Sequence, residues 1–272
     1  MDKNLKKEKI NLIGGGFKHC LSTNGYILPN KVEWVLDNSS DISIHVDNAI
    51  FSPVDKSKTN YAMLSESKTI IGHLYQNIID RIELLENNYE YIFTHDISLL
   101  DTSRKIKLIP PPATSWILPE DRKLHPKTKL ISMVASIKNM CPDHTYRNQV
   151  AHELKNKIDI FGRGRERQIE NKINGLKDYC FSVAMENGNY NNMFTEKITD
   201  CFVVGTIPVY YGSTSVDNYF NSEGIINLKD FSLCDLTYDL YHDKMVYIKE
   251  NFEIACNFKH PEDFIWEEYI NK

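Results

Sequence analysis

The chain contains no apolar run approaching the length that crosses a bilayer, and its opening, Met1-Asp2-Lys3-Asn4-Leu5-Lys6-Lys7-Glu8-Lys9, lacks the apolar stretch of a signal peptide. The expected setting is soluble and cytoplasmic. Positive charge is not in excess either. Lys and Arg total 32 against 37 Asp and Glu, a net charge of -5, so no general field favours nucleic acid or anionic lipid. The six cysteines (Cys20, Cys141, Cys180, Cys201, Cys234, Cys256) form no C-x-x-C pair and read as buried reduced thiols. Among the nine histidines there is no H-E-x-x-H, and His152-Glu153 stands alone. No D-x-D occurs anywhere.

What is present is a globular composition: 272 residues, 42% apolar and 25% charged, enough for a sizeable core. Short apolar runs alternate with helical patterns from end to end, the signature of an α/β protein. Strands are expected at Lys9 to Ile13, Asp41 to Val46, Tyr61 to Leu64, Tyr91 to Phe93 and Ile106 to Ile109. A single helix face is expected from Ile70, Ile71, Leu74, Ile78, Ile79, Ile82 and Leu85. Pro110-Pro111-Pro112, followed by Pro119 and Pro126, reads as an interdomain connection. The alternation then restarts. Strands are expected at Leu130 to Val134, Ile158 to Phe161, Phe181 to Met185, Ile207 to Tyr211 and Ile225 to Leu228, with helices near Tyr146 to Leu154, Arg165 to Leu176 and Thr195 to Val203. Two Rossmann-like domains, 1–125 and 126–272, with a cleft between them, fit this order.

The most informative stretch runs from Phe181-Ser182-Val183-Ala184-Met185-Glu186-Asn187 through a polar loop to Thr195-Glu196-Lys197-Ile198-Thr199-Asp200. It reads as a buried strand, a loop and a helix whose first turn carries a hydroxyl, a carboxylate and an ammonium. Loops after strand C-termini bind ligands in open α/β sheets, and a helix N-terminus with Lys197 suits a phosphate. The plainer reading is a Thr195 N-cap, a dipole-compensating Glu196 and a solvated Lys197. Pattern alone favours the plainer one.

This stretch, continued by Gly205-Thr206-Ile207-Pro208-Val209-Tyr210-Tyr211-Gly212-Ser213, resembles the donor-binding segment of the α-1,3/α-1,4-fucosyltransferases, glycosyltransferase family 10. Ile158 to Arg163 and Ile225 to Phe231 resemble the flanking strands of the same region, so the likeness covers about Leu130 to Phe231. It implies a GT-B fold whose second domain holds GDP-fucose. By that resemblance Lys197 and Arg147 grip the pyrophosphate, Glu196 accepts from the ribose hydroxyls and Asn187 bonds the donor near the sugar or phosphate. Met193 stands where some bacterial members have a tyrosine, with Tyr190 the neighbouring substitute. Met193 and Phe194 are the candidate apolar wall for the fucose methyl.

Inverting transfer needs a base on the first domain. Glu66, in Leu64-Ser65-Glu66-Ser67, resembles the family's L/F-E-S-P carboxylate, with Lys68 in place of the proline; a solvated Glu capping the next helix fits equally well. His95-Asp96 is the reserve pair. Gly14-Gly15-Gly16 fails the dinucleotide fingerprint because His19 takes its third position, leaving a tight turn. Gly162-Arg163-Gly164-Arg165-Glu166-Arg167 reads first as a solvent-edge loop, with Arg163 or Arg165 in reach of a nucleotide. The expectation is thus an inverting α-1,3-fucosyltransferase-like enzyme that moves fucose from GDP-fucose to an oligosaccharide or glycolipid hydroxyl. It needs no metal and binds no nucleic acid. Another nucleotide sugar in the same cleft, or a catalytically silent nucleotide- or carbohydrate-binding module, are the alternatives.

Overall fold

The computed structural model describes residues 6–14, 17, 20–23, 25–230 and 232–272. The chain forms two compact units, one of Met1–Pro112 with Lys259–Lys272 and one of Ala113–Phe258. The proline pattern suggests a division at 125 instead. Residues 113–125 join the second unit because buried polar groups hold them there: Ser115 Oγ (2.8 Å) and Trp116 N–H (2.7 Å) donate to Asp200 Oδ1, and Thr199 Oγ1 donates to Ala113 O at 2.6 Å. The last segment returns to the first unit. There Glu262 accepts from Thr23 N–H and Oγ1, each at 2.7 Å, and Asp263 from the N–H groups of Asn30 (2.9 Å) and Lys31 (2.7 Å).

The first unit is a parallel sheet of β1 (Glu8–Ile13), β2 (Val32–Val35), β3 (Ile42–Val46), β4 (Thr59–Leu64), β5 (Ile92–Thr94) and β6 (Ile106–Leu108) in the order β2-β1-β3-β4-β5-β6. The edge strand β2 is not among the expected ones, since four residues of alternating burial give too little pattern to detect. The expected single helix is two, α1 (Lys68–Asp80) and α2 (Ile82–Asn88), parted at Arg81 with φ -122°. Gly15, Gly16 and His19 of the glycine stretch lie outside the described residues. Gly14 has φ +111°, and a Cβ there would stand 2.9 Å from Val46 O, so a close backbone approach requires glycine.

The second unit is a parallel sheet of β7 (Lys129–Val134), β8 (Asp159–Phe161), β9 (Tyr179–Met185), β10 (Ile207–Tyr211) and β11 (Ile226–Asn227) in the order β11-β10-β9-β7-β8. All seven residues of β9 are buried. A parallel strand covered on both faces reads as a continuous apolar run, which is why its sequence signal is strong. One face packs Phe181, Val183, Ile207 and Val209 against Tyr241 and Ile248; the other packs Ala184 and Tyr210 against Phe194, Ile198 and Phe202. Helices α3 (Pro142–Glu153) and α4 (Glu196–Phe202) follow β7 and β9, and α5 (Tyr238–Asp243) and α6 (Met245–Cys256) close the unit. The helix expected over 165–176 does not form. Gly162 (φ +143°) and Gly164 (φ +80°) turn the chain sharply before it, and only a 3-10 turn, Lys172–Gly175, follows.

Lys127 enters this unit through three hydrogen bonds from its ammonium, to Lys177 O (3.0 Å), Val204 O (2.7 Å) and Thr206 Oγ1 (2.9 Å). Burial pushes its pKa down to about 7, against weaker opposing pulls from Cys180, Cys201 and Asp178. An unfolded lysine keeps its proton to ~10.4, so above pH ~7 the unfolded chain binds more protons and stability should rise with pH. Urea unfolding at pH 6.5 and 8.5 should show the wild type gaining on Lys127→Met by up to about 1 kcal/mol, the figure being reduced for partial exposure. A difference that stays flat would mean that this ammonium titrates as it does in water.

Candidate functional site

Glu186, the first residue after β9, is fully buried. Its carboxylate accepts from Thr195 N–H at 2.9 Å, Thr195 Oγ1 at 2.7 Å and Lys197 Nζ at 3.0 Å. Thr195 does hold the N-cap position of α4, but its hydroxyl is spent on Glu186 and makes no capping bond. Lys197 also donates to Thr195 Oγ1 at 2.7 Å, so it is a fixed ammonium rather than a freely solvated one. Glu196 faces inward, accepting from Lys172 Nζ at 2.5 Å, while Lys172 also bonds Asp200 Oδ2 at 2.9 Å. Burial alone raises the Glu196 pKa, but Lys172 and Lys197 outweigh it and hold the carboxyl below its ordinary range.

A second group of cations approaches from α3 and the loops after β7 and β8. Arg147 is 5% exposed, yet its one hydrogen bond among the described residues runs from Nη2 to Ser136 O at 3.5 Å, and its Nε has no partner. Burial, then the nearby Arg165, push its pKa down, while Glu186 and Glu196 lie close enough to oppose them. His144 sits one turn before Arg147 on the same helix face. Its Nδ1 accepts from Met140 N–H at 3.1 Å. Burial, with Arg147, Lys197 and Lys138, drives its pKa down to about 4, so the ring is neutral at pH 7 with its proton on Nε2. These groups lie at the C-terminal ends of parallel strands, where such sheets take their ligands. Beside them a pocket of about 220 Å³ opens after β10 and β11, lined among others by Asn189, Tyr211, Ser213, Asp217, Val216 and Ile225.

Of the loop residues, Asn187 is half-buried with its carbonyl accepting from Cys141 Sγ at 3.6 Å, and Tyr190 is half-buried with its carbonyl accepting from Met193 N–H at 3.1 Å. Met193 (2% exposed) and Phe194 (0%) belong to the core, where Phe194 packs its ring on Tyr219 and Phe220; they are no sugar wall. In the first unit, Glu66 is half-buried after β4, accepts from Ser67 N–H at 2.8 Å and donates its own N–H to Asp47 Oδ1 at 3.2 Å. The helix cap there is Ser67, whose Oγ accepts from Thr69 N–H at 3.3 Å. Asp96, the reserve carboxylate, is buried and engaged by Lys68 at 2.7 Å and by Ser98 N–H at 2.9 Å, which makes it a structural anchor. Lys68, the departure from the family's proline, is half of that ion pair. Among the described residues no group of three or more His, Cys, Asp and Glu has the arrangement to hold a metal ion.

Residues 124–258 match the family described as glycosyltransferase family 10 (fucosyltransferase) C-term. They form a family 10 glycosyltransferase domain. Curated relatives include the alpha-(1,3)-fucosyltransferase FucT of Helicobacter pylori, 31% identical over 43% of this chain and 26% of its own length, and a putative fucosyltransferase-like protein of Arabidopsis thaliana, 33% identical over 35% and 20%. The mouse 4-galactosyl-N-acetylglucosaminide 3-alpha-L-fucosyltransferase 9 is 29% identical over 39% of this chain and 30% of its own. The matches thus span less than a third of each of these relatives. Among solved structures, an alpha1,3-fucosyltransferase aligns over 96% of this chain and 83% of its own with a TM-score of 0.51 and 19% identity; the same kind of enzyme with GDP gives 0.50, 18%, 96% and 85%. The fold is GT-B, with one parallel α/β unit in each half.

Arg147, Asn187, Tyr190, Glu196 and Lys197 all fall inside the family 10 domain, and Glu66 lies outside it. Glu186 and Lys172, which hold α4 in place, are not among the residues expected to form the site. An acid directly after a strand buried on both faces is the signal that marks Glu186, whereas nothing in Lys172-Ile173-Asn174-Gly175 marks Lys172. His144 is also absent from those expectations, although it stands three residues before Arg147 on the same face of a helix. The domain's charge arrangement makes a prediction for this ring. By NMR its imidazole nitrogens should not titrate between pH 5.5 and 8, and in Lys197→Met its pKa should move upward, since one of the cations that suppress protonation is gone. A midpoint near 6.5 in the wild type would contradict the arrangement.

Proposed function

We propose that this chain is an inverting fucosyltransferase that moves fucose from GDP-fucose to a glycan hydroxyl, forming an α-1,3 linkage, with protein cations rather than a metal neutralising the leaving group. The observation that carries the reading is the buried, under-bonded Arg147 beside Arg165, Lys138, Lys197 and a neutral His144, inside a family 10 domain. As the acceptor oxygen attacks the anomeric carbon, the bond from that carbon to the β-phosphate oxygen breaks and GDP departs with added negative charge. Fixed cations stabilise that developing charge without reorganising, which is where catalysis gains most. Lys197 is oriented for this by Glu186 and Thr195. Glu196, tied to Lys172 and one residue before Lys197, is assigned the ribose hydroxyls on the strength of the family resemblance. The donor sugar is assigned to the pocket after β10, where Asn189, Ser213 and Asp217 offer polar contacts and Val216 and Ile225 an apolar side for a methyl group. Glu66 takes the acceptor's proton. The fucosyl donor is supported by the names of the relatives, and GDP as its nucleotide by the structural neighbour solved with GDP.

Slow hydrolysis of nucleotide sugars tests the reading before an acceptor is known. GDP-fucose should be consumed faster than GDP-mannose or UDP-glucose, and activity should persist in EDTA; a preference for either of the other donors would remove the fucosyl assignment. Lys197→Ala and Arg147→Ala should each lower kcat by on the order of 10²-fold and weaken GDP. Near-normal turnover in both folded variants would remove the donor site. With an acceptor in hand, Glu66→Gln should abolish transfer while leaving GDP affinity close to wild type, because the amide keeps the shape but takes no proton. Normal transfer by this variant would place the base elsewhere.

A further inference from the structure

We infer that Arg165 is a second arginine of the anion site, paired with Arg147 so that the site takes a diphosphate in preference to a monophosphate. The inference rests on the donor-site reading above and adds to it a residue and a selectivity. Gly162 and Gly164 bend the loop after β8 so that Arg165 folds back over the end of β7. Its Nε donates to Ala135 O at 3.1 Å, and its Nη2 to Asn148 Oδ1 at 2.5 Å and to Ser136 O at 3.4 Å. The same Ser136 oxygen receives Arg147 Nη2 at 3.5 Å, so two guanidinium groups converge on one neutral carbonyl.

Neither arginine has a carboxylate within ion-pair distance among the described residues. The neighbouring charges of the loop do: Glu166 pairs with Lys155 at 2.9 Å, and Arg167 with Asp159. Among the described residues Arg163, which is exposed to solvent, and Arg165, which turns inward, are the loop charges left without an ion pair. Placing two like charges together, one of them buried, costs free energy that the nearby Glu186 and Glu196 offset in part and that a bound anion would offset further. Arg165 Nη1 makes no hydrogen bond among the described residues, and with the bare Nε of Arg147 it leaves charged donors for such an anion.

The extent of the cluster points to two phosphates. Lys197 follows β9 and Arg165 follows β8, with β7 between them in the sheet. Adjacent strands lie ~4.8 Å apart, so the elements carrying these cations arise about two strand spacings from each other, with Arg147 on the helix that follows the middle strand. A single phosphate engages one end of this row; a diphosphate engages both. Planar guanidinium groups bind phosphate oxygens in pairs, which a lysine at the same place does not reproduce.

Calorimetric titration of the whole chain with GDP, GMP and inorganic pyrophosphate tests this. Arg165→Ala should weaken GDP and pyrophosphate about 10-fold or more and GMP less than about 3-fold, with Arg165→Lys in between. Equal losses for GDP and GMP, or none, alongside a large loss in Arg147→Ala, would overturn the role of Arg165 and leave the donor site standing. Absence of GDP binding by the wild type would overturn both. Should Arg165→Ala not fold, Arg165→Lys carries the same comparison, because it keeps the charge but not the paired geometry.

Discussion

The second unit is organised around two arginines, Arg147 and Arg165, that have no ion pair among the described residues. Arg147 is 95% removed from solvent with one long hydrogen bond among the described residues, and a second arginine shares its acceptor. Leaving donors of a buried cation unmade costs more than most single contacts gain, so the rest of the unit must be stable enough to tolerate it. The sheet provides that stability. Strand β9 is enclosed on both faces and its ladder to β10 runs in register from Phe181 with Ile207 to Met185 with Tyr211, continued by Glu186 N–H to Tyr211 O at 2.8 Å.

Acids in this region are placed to orient cations rather than to cancel the cluster. Glu186 holds Lys197 and the start of α4; Glu196 and Asp200, four residues apart on that helix, share Lys172, whose ammonium lies 4.2 Å over the Trp116 ring. Burial works against the Lys172 charge, but Asp200 and Glu196 together hold it protonated. Because Asp200 also binds Ser115 and Trp116, the chain entering the unit is tied to the helix that carries Lys197. The site is thereby built on packed elements, the arrangement that holds catalytic groups in fixed geometry.

Much of this is legible in the sequence, for physical reasons that differ by element. Strands β9 and β10 announce themselves because double burial demands unbroken apolar runs, and the Glu186-to-Lys197 spacing carries the family likeness directly. Arg147 is placed by that likeness alone, since a lone arginine in a polar helix has no pattern of its own. The expected helix at 165–176 fails because charge periodicity says nothing about two glycines at positive φ, and the same turn is what aims Arg165 inward. Met193 and Phe194 look like loop-end contacts in sequence, but the core claims them, Phe194 through Tyr219, Phe220 and Phe258. The return of Glu262 and Asp263 to the first unit joins positions more than 230 apart, which local reading does not reach.

The central claim is that an anionic nucleotide completes the Arg147 cluster. Amide hydrogen exchange of the chain with and without saturating GDP tests it most directly. Protection is expected to concentrate at residues 134–138, 141–147, 162–165 and 194–197, with the first unit's sheet unchanged. Binding that protects other segments and leaves these four unaffected would contradict it.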